Sequence, residues 1–328
     1  MACLPIIYGN RFLRNNYHPK LGTVYLEPTN RCNLRCEMCN WQSGRVTGFI
    51  SRSLFESCVD QLSEMGVDSL CLNGYGESLV HPDFKSFLEY AVQKRNHGKI
   101  GRVGWCTNGM LFNQSVADLA VSLKVDWISF SLDGVGQVND SMRVGSKYSV
   151  IEKNIVYLLE KRGSAEKPTV LLNMVDHGKT DEQKMEFYSV WAQRVDGIEL
   201  IPSILPDDTW ENKEFVSKNL KMAPPPAFCS FPMETLNILW DGKIKGCCFD
   251  YSKVVLGDAN KESIKQIWRG EKYQNYRKAL LTKKFPSGSP CKECEFWQIN
   301  FEPRSEQILD GRARIEYGYI YRKIRKVS

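Results

Sequence analysis

No stretch of this sequence approaches the ~18 consecutive apolar residues that a membrane-spanning helix needs, so it offers no segment to cross a bilayer. Signal-peptide order is missing too. In the opening MACLPIIYGNRFLRNNYHPK the apolar run is short, and the basic residues follow it rather than precede it. A cytoplasmic location is therefore expected. There is no low-complexity tract. Charge of one sign is scarce: the net charge of +6 on 328 residues is too mild to argue for nucleic acid and suits an anionic small molecule or an acidic redox partner. Apolar residues at 42% and charged residues at 25% are ordinary for a globular protein. The length suggests roughly two domains of about 150 residues each.

Cysteine is what the sequence has in surplus. Twelve are many for a reducing compartment, where disulfides are rare and clustered thiols bind metal or do chemistry. Cys32, Cys36 and Cys39 form one group, spaced C-x3-C-x2-C within PTNRCNLRCEMCNW; Cys229, Cys247, Cys248, Cys291 and Cys294 form another. Cys3, Cys58, Cys71 and Cys106 are scattered and read as small, buried, inert thiols.

From about residue 22 to 203, β-rich and helical runs alternate six times. TVYLEP, SLCLNG, RVGWCT, DWISFS, PTVLLNM and GIELIPS read as strands. SRSLFESCVDQLSEM, PDFKSFLEYAVQK, NQSVADLAVSLK, YSVIEKNIVYLLEKR and TDEQKMEFYSVWAQR read as the helices between them. That is the pattern of βα units on a parallel α/β sheet. Six units fall short of the eight of a closed barrel, and an open partial barrel or a doubly wound sheet both fit. The Pro-rich KMAPPPAFCSFP marks a boundary near residues 206–222. Beyond it ETLNILWDGKIKGCCFD reads as a hairpin turning at Asp241-Gly242, followed by one helix through ESIKQIWRGEKYQNYRKALLT and a tail rich in Arg, Lys and Tyr. The domains expected are an N-terminal extension (1–21), the α/β domain (22–205), a small α+β domain (222–300) and the basic tail (301–328).

The first cysteine group follows the first strand, where parallel α/β folds place their sites. A structural zinc site closes with four ligands, but no fourth Cys or His follows within reach, the next histidine being His81. A [4Fe–4S] cube held by three cysteines leaves one iron open. Here the sequence resembles the radical S-adenosylmethionine (SAM) superfamily, whose signature is this C-x3-C-x2-C. The resemblance implies a partial (β/α)6 barrel. It also implies SAM chelated to the open iron and cleaved to a 5′-deoxyadenosyl radical that abstracts hydrogen from substrate. The radical would arise at the cluster of Cys32, Cys36 and Cys39; the sequence singles out no other catalytic group.

Further segments match in order. NGYGES after the second strand is similar to the family's G-G-E-P segment: Gly76 and Glu77 match, while Tyr75 replaces a common glycine and Ser78 a common proline. Asn108 lies in TNG at the end of the third strand, and Ser131 in SLDG at the end of the fourth. By resemblance Ser131 serves the SAM ribose, Arg143 the SAM carboxylate, and Asn173, read as ending the fifth strand, a similar position. Met38 replaces an aromatic residue, at a point where contact with adenine is through backbone.

Cys229, Cys247, Cys291 and Cys294, with Gly242-x4-Cys247 among them, resemble the SPASM and twitch domains that follow many such barrels. No cysteine follows Cys294, so four ligands remain, enough for one fully ligated auxiliary [4Fe–4S] cluster, with Cys248 left over as a packing residue or an alternate ligand. A zinc ribbon could use the same four thiolates. A closed cluster would move electrons, in a spacing similar to that of the radical SAM dehydrogenase type acting on 2-deoxy-scyllo-inosamine. The implied reaction is two-electron oxidation of an alcohol on a sugar, cyclitol or similar polar molecule, with a flavodoxin- or ferredoxin-type electron donor. Peptide maturation is the alternative enzyme. A non-catalytic iron–sulfur or zinc protein that senses redox state or binds nucleic acid is the alternative of another class.

Overall fold

Period-two burial sets the strands. In β1 (Thr23–Leu26) Val24 and Leu26 are fully buried, and the residues between them are half-buried. β4 (Trp127–Ser131) buries Ile128 and Phe130, and β5 (Thr169–Asp176) buries Val170, Leu172 and Met174. The computed structural model describes residues 20–36, 38–39, 46–176, 181–202, 222–223, 229, 231–248, 250, 254–286, 289, 291–292, 294, 300–301, 305–308, 313–316 and 324–326. Most of the expected N-terminal extension and of the boundary near 206–222 lies outside the described residues, and so does Cys3.

Helix α1 (Arg52–Met65) shows why the helices form where the sequence places them. The Ser51 hydroxyl accepts from Leu54 N at 3.2 Å, an N-cap, and Phe55, Cys58, Val59 and Leu62 make one buried stripe at helical spacing. Phe55 stacks on Phe87 of α2 (Phe84–His97), ring centroids 4.0 Å apart. Each such ring, once fully buried, contributes about 1.5–3 kcal/mol. The other helices are α3 (Gln114–Ser122), α4 (Gln137–Met142), α5 (Tyr148–Arg162), α6 (Asp181–Trp191), α7 (Phe231–Glu234), α8 (Ile264–Arg269) and α9 (Glu271–Thr282). The other strands are β2 (Val67–Cys71), β3 (Ile100–Thr107), β6 (Gly197–Pro202), β7 (Met222–Ala223), β8 (Thr235–Ile238), β9 (Lys243–Lys245), β10 (Gly257–Asp258), β11 (Asn300–Phe301), β12 (Ser305–Ile308), β13 (Ala313–Glu316) and β14 (Ile324–Lys326).

The chain divides into two compact units. The first comprises Met1–Arg31, Val46–Gly104 and Pro224–Gln298. Its strands run in the order β10-β9-β8-β1-β2-β3. β1 pairs in parallel with β2 on one side and with β8 on the other, and β8, β9 and β10 are antiparallel. The expected hairpin is thus present, turning at Gly242 with φ of 84°, a left-handed value that favours glycine. The second unit comprises Cys32–Arg45, Trp105–Ala223 and Ile299–Ser328. Within it β4, β5 and β6 are parallel, and the short β7–β11 and β12–β13–β14 pairings are antiparallel.

Two local expectations need correction. Asn173 does not end β5: the strand runs on to Asp176, because Val175 and Asp176 pair with Ile201 and Pro202 of β6. The helix expected through ESIKQIWRGEKYQNYRKALLT is two helices. Gly270, extended at φ −68° and ψ 159°, ends α8 and begins α9. Of the scattered cysteines, Cys58 and Cys71 are buried, and burial pushes the Cys58 thiol up to about 12, which keeps it inert. Cys106 is half-buried.

Candidate functional site: two cysteine groups

The C-x3-C-x2-C loop belongs to the second unit and is held by its own backbone. The Cys39 amide donates to Cys36 O at 3.1 Å, and the Leu34 amide points at Cys32 Sγ at 3.4 Å. Arg35 donates from Nη1 to Cys32 O and Leu34 O at 2.9 and 2.7 Å, and its amide bonds Val144 O at 2.9 Å. Asn108, just past β3, donates from Nδ2 to Asn33 Oδ1 at 2.8 Å and lies 3.8 Å from Cys32 Sγ. Cys32 and Cys36 are half-buried and Cys39 is exposed. Met38 is a half-buried turn residue between them.

Arg143 caps the C-terminus of α4 and is 8% exposed. Its Nε stands 2.7 Å from Oδ2 of the fully buried Asp133. The two atoms form an ion pair rather than an aligned hydrogen bond, since neither satisfies hydrogen-bond geometry. Asp133 is fixed in turn: its Oδ1 accepts from Val175 N at 2.8 Å, and its amide donates to Asn139 Oδ1 at 3.0 Å. Burial raises the Cys36 thiol. Arg143 opposes that rise, whereas Cys39 and Asp133 add to it. The loop therefore gathers thiols beside a guanidinium already committed to a carboxylate.

In the first unit, the loop after β2 carries Gly76, Glu77 and Ser78. A Cβ on Gly76 would meet backbone atoms: Arg31 O at 2.4 Å and Thr29 O at 2.6 Å. Only glycine fits that approach. Glu77 is 3% exposed; its amide donates to Arg31 O at 2.9 Å, and its Oε1 accepts from Leu79 N at 3.2 Å. The Ser78 hydroxyl is fully buried and donates to Leu72 O at 2.8 Å, so it is used inside the protein. His81 is no spare ligand. Its Nδ1 accepts from the Asp83 amide at 3.0 Å, which leaves Nε2–H to donate to Ile50 O at 3.0 Å.

The register of β4, β5 and β6 aligns Ser131, Asn173 and Glu199 across three strands. Partnered residues of a parallel pair share a face, here the one opposite Ile128, Phe130, Val170, Leu172 and Ile198. Asn173 is buried and donates from Nδ2 to Ser129 Oγ at 3.0 Å. Glu199 is the residue the sequence reading missed. Burial pushes its carboxyl up to about 7. The signal was a single acid inside the otherwise apolar strand GIELIP.

Cys229, Cys247, Cys291 and Cys294 come together in the first unit. Burial raises the Cys229 thiol, and Cys247, Cys291 and Cys294 raise it further by like-charge repulsion. Burial likewise pushes Cys291 up to about 12, with Cys247 and Cys294 adding to the rise and the Tyr276 hydroxyl, 3.0 Å from its Sγ, opposing it. Four half-buried thiols drawn together suit a cluster whose irons take the thiolate charge. Among the described residues no three Cys, His, Asp or Glu side chains form a group able to hold a metal ion. Thiolates of a cube bind one iron each and need not meet at one point.

Two family models match the chain. One, described as the radical SAM superfamily, matches residues 26–189, half of the 328 residues; the other, SPASM, an iron-sulfur cluster-binding domain, matches residues 229–295. A tungsten-containing aldehyde ferredoxin oxidoreductase cofactor-modifying protein of Pyrococcus furiosus is 25% identical, over 83% of this chain and 88% of its own. The crystal structure of BtrN in complex with AdoMet and 2-DOIA is similar at a TM-score of 0.53 and 17% identity, covering 84% of this chain and 92% of BtrN. That of Streptococcus suis SuiB bound to precursor peptide SuiA gives 0.63 and 16%, covering 90% and 73%. At these identities the structural likenesses show the fold: an α/β radical SAM partial barrel that does not close, with a C-terminal SPASM domain.

Proposed function

This chain belongs to the radical SAM superfamily, and we propose that it oxidises an alcohol of a small polar molecule by two electrons. It is a radical SAM enzyme, and its cofactors are SAM, a [4Fe–4S] cluster in the radical SAM domain and an auxiliary cluster in the SPASM domain. In this reading Cys32, Cys36 and Cys39 hold the SAM-binding cluster, and Cys229, Cys247, Cys291 and Cys294 hold a single auxiliary cluster in a twitch-like arrangement. When bound, these groups supply a 5′-deoxyadenosyl radical to take a hydrogen atom and an acceptor for the remaining electron.

The chain's own residues do the rest. Asp133 holds Arg143 beside the cysteine loop, where the guanidinium receives the SAM carboxylate. Gly76 and Glu77 offer a close backbone approach and an acceptor for its ammonium. Asn108 steadies the loop through Asn33, and Met38, Ser131 and Asn173 complete the surroundings. Glu199, titrating near neutrality on the face shared with Ser131 and Asn173, takes the hydroxyl proton that alcohol oxidation releases.

The observation that carries this reading is the gathering of Cys229, Cys247, Cys291 and Cys294, enough thiolates to ligate every iron of one cluster. A cluster with every iron ligated cannot bind substrate, which leaves electron transfer. The test is anaerobic reconstitution followed by incubation with reductant, SAM and a panel of aminocyclitols, amino sugars and peptides. A product two mass units lighter than one of the alcohols, formed with 5′-deoxyadenosine and with about eight irons per chain, is the expected result. Turnover of peptides alone would refute it in favour of peptide maturation.

A further inference from the structure

Tyr75 stands in the loop just before Gly76, and hydrogen bonds tie it to two elements far away in sequence. Its amide donates to Glu27 Oε1 at 2.7 Å, and its hydroxyl donates to the carbonyl of Asp250 at 2.7 Å. Both partners are themselves fixed. Glu27 is 1% exposed, and its second oxygen accepts from the Trp240 amide at 3.1 Å, at the turn that leads from β8 into β9. Asp250 closes the turn that contains Cys247, its amide donating to Cys247 O at 3.2 Å. Lys245 Nζ donates to the same Asp250 carbonyl at 3.1 Å and lies 3.6 Å from its carboxylate, both side chains being buried. All these residues belong to the first unit. A glycine at position 75 would have no atom able to reach Asp250.

We propose that Tyr75 is a positioning residue that couples the Gly76–Glu77 loop to the Cys247–Asp250 turn, so that SAM affinity depends on the auxiliary cluster being in place. The inference rests on the assignment of Gly76 and Glu77 to SAM and of Cys247 to that cluster. Ligation at Cys247 fixes the turn and holds the Asp250 carbonyl where the Tyr75 hydroxyl meets it. Without ligation the turn gains alternatives, the hydrogen bond is lost part of the time, and SAM must then order the loop at its own cost. Coupling of this kind is reciprocal. One neutral hydrogen bond corresponds to about a three- to tenfold change in affinity.

The experiment is a double-mutant cycle on the anaerobically reconstituted full chain, reading SAM binding by calorimetry. Tyr75→Phe keeps the ring and removes only the hydroxyl; Cys291→Ala with Cys294→Ala removes the auxiliary cluster. Each change alone is expected to weaken SAM binding about three- to tenfold, and the combined variant is expected to bind no worse than the weaker of the two. Wild-type affinity in Tyr75→Phe, or effects that multiply in the combined variant, overturns the proposal. A second readout is the midpoint potential of the auxiliary cluster, which SAM is expected to shift in the wild type but not in Tyr75→Phe. An equal shift in both overturns the proposal even where the cysteine variant fails to fold. Wild-type protein holding about four irons, or failing to bind SAM, overturns the underlying assignment of the site, and that result is visible before any variant is made.

Discussion

Glu199 gives the sharpest quantitative expectation. Its carboxyl is displaced from 4.5 to about 7 by burial. The folded form therefore binds the proton more tightly than the unfolded chain does. Stability from this group is fully present below pH 4.5 and is lost as pH rises through 7. The displacement corresponds to on the order of 3 kcal/mol at pH 8, discounted to about 2 kcal/mol because the side chain keeps some contact with water. Glu199→Gln removes the charge and keeps the shape. The variant is expected to match the wild type at pH 4 and to exceed it by about 2 kcal/mol at pH 8. Anaerobic urea denaturation at the two pH values measures this. Comparing variants cancels His81, whose ring burial holds below its ordinary range and which titrates identically in both proteins. Equal stability of the two proteins at pH 8, or a less stable Glu199→Gln there, would refute the reasoning. If Glu199 is also the proton acceptor, the more stable variant is the less active one, and product formation falls while SAM binding holds.

Gly76→Ala is expected to weaken SAM binding at least tenfold, because its Cβ would collide with the carbonyls of Arg31 and Thr29 and move the loop by several tenths of an ångström; calorimetry on the reconstituted protein checks it, and unchanged affinity would count against that loop as part of the site. Asp133→Asn leaves Arg143 buried without its counter-charge and is expected to cost about 3–5 kcal/mol, read by urea denaturation, with Asp133→Asn plus Arg143→Gln recovering much of the loss. Cys248→Ser is expected to leave iron content at the wild-type level, whereas Cys247→Ala lowers it by about four per chain; loss of iron in the Cys248 variant would move that thiol into the ligand set.

What was legible in the sequence was local. The helix over Tyr148–Arg162 has the bounds its periodicity predicts. The hairpin turn falls at Asp241-Gly242, and Cys229, Cys247, Cys291 and Cys294 come together. Those signals survive translation into sequence because a strand, a helix face or a cysteine loop is specified by residues within about one element of each other. Asn173 was mistaken for a strand end because a strand's length is set by its neighbour, and β6 supplies partners as far as Pro202. Gly270 was read as an interior glycine because nothing local distinguishes a tolerated helical glycine from a break.

Glu27 and Tyr75 were illegible for a different reason. Glu27 meets the Trp240 amide across 213 positions, and Tyr75 meets Asp250 across 175. Neither contact can be inferred from spacing, because both exist only once β8 has paired beside β1 in parallel. That pairing brings the turn leading to Cys247 alongside the loop carrying Gly76. Glu27 then has two backbone amides to satisfy, and any apolar replacement would leave both as buried donors without an acceptor. A charged residue closing the apolar strand TVYL is the trace this requirement leaves in the sequence, and the tyrosine in place of the usual glycine is the other. The tyrosine is informative because it marks a demand of this chain's own tertiary contacts, a bond to the Asp250 carbonyl that a glycine could not make.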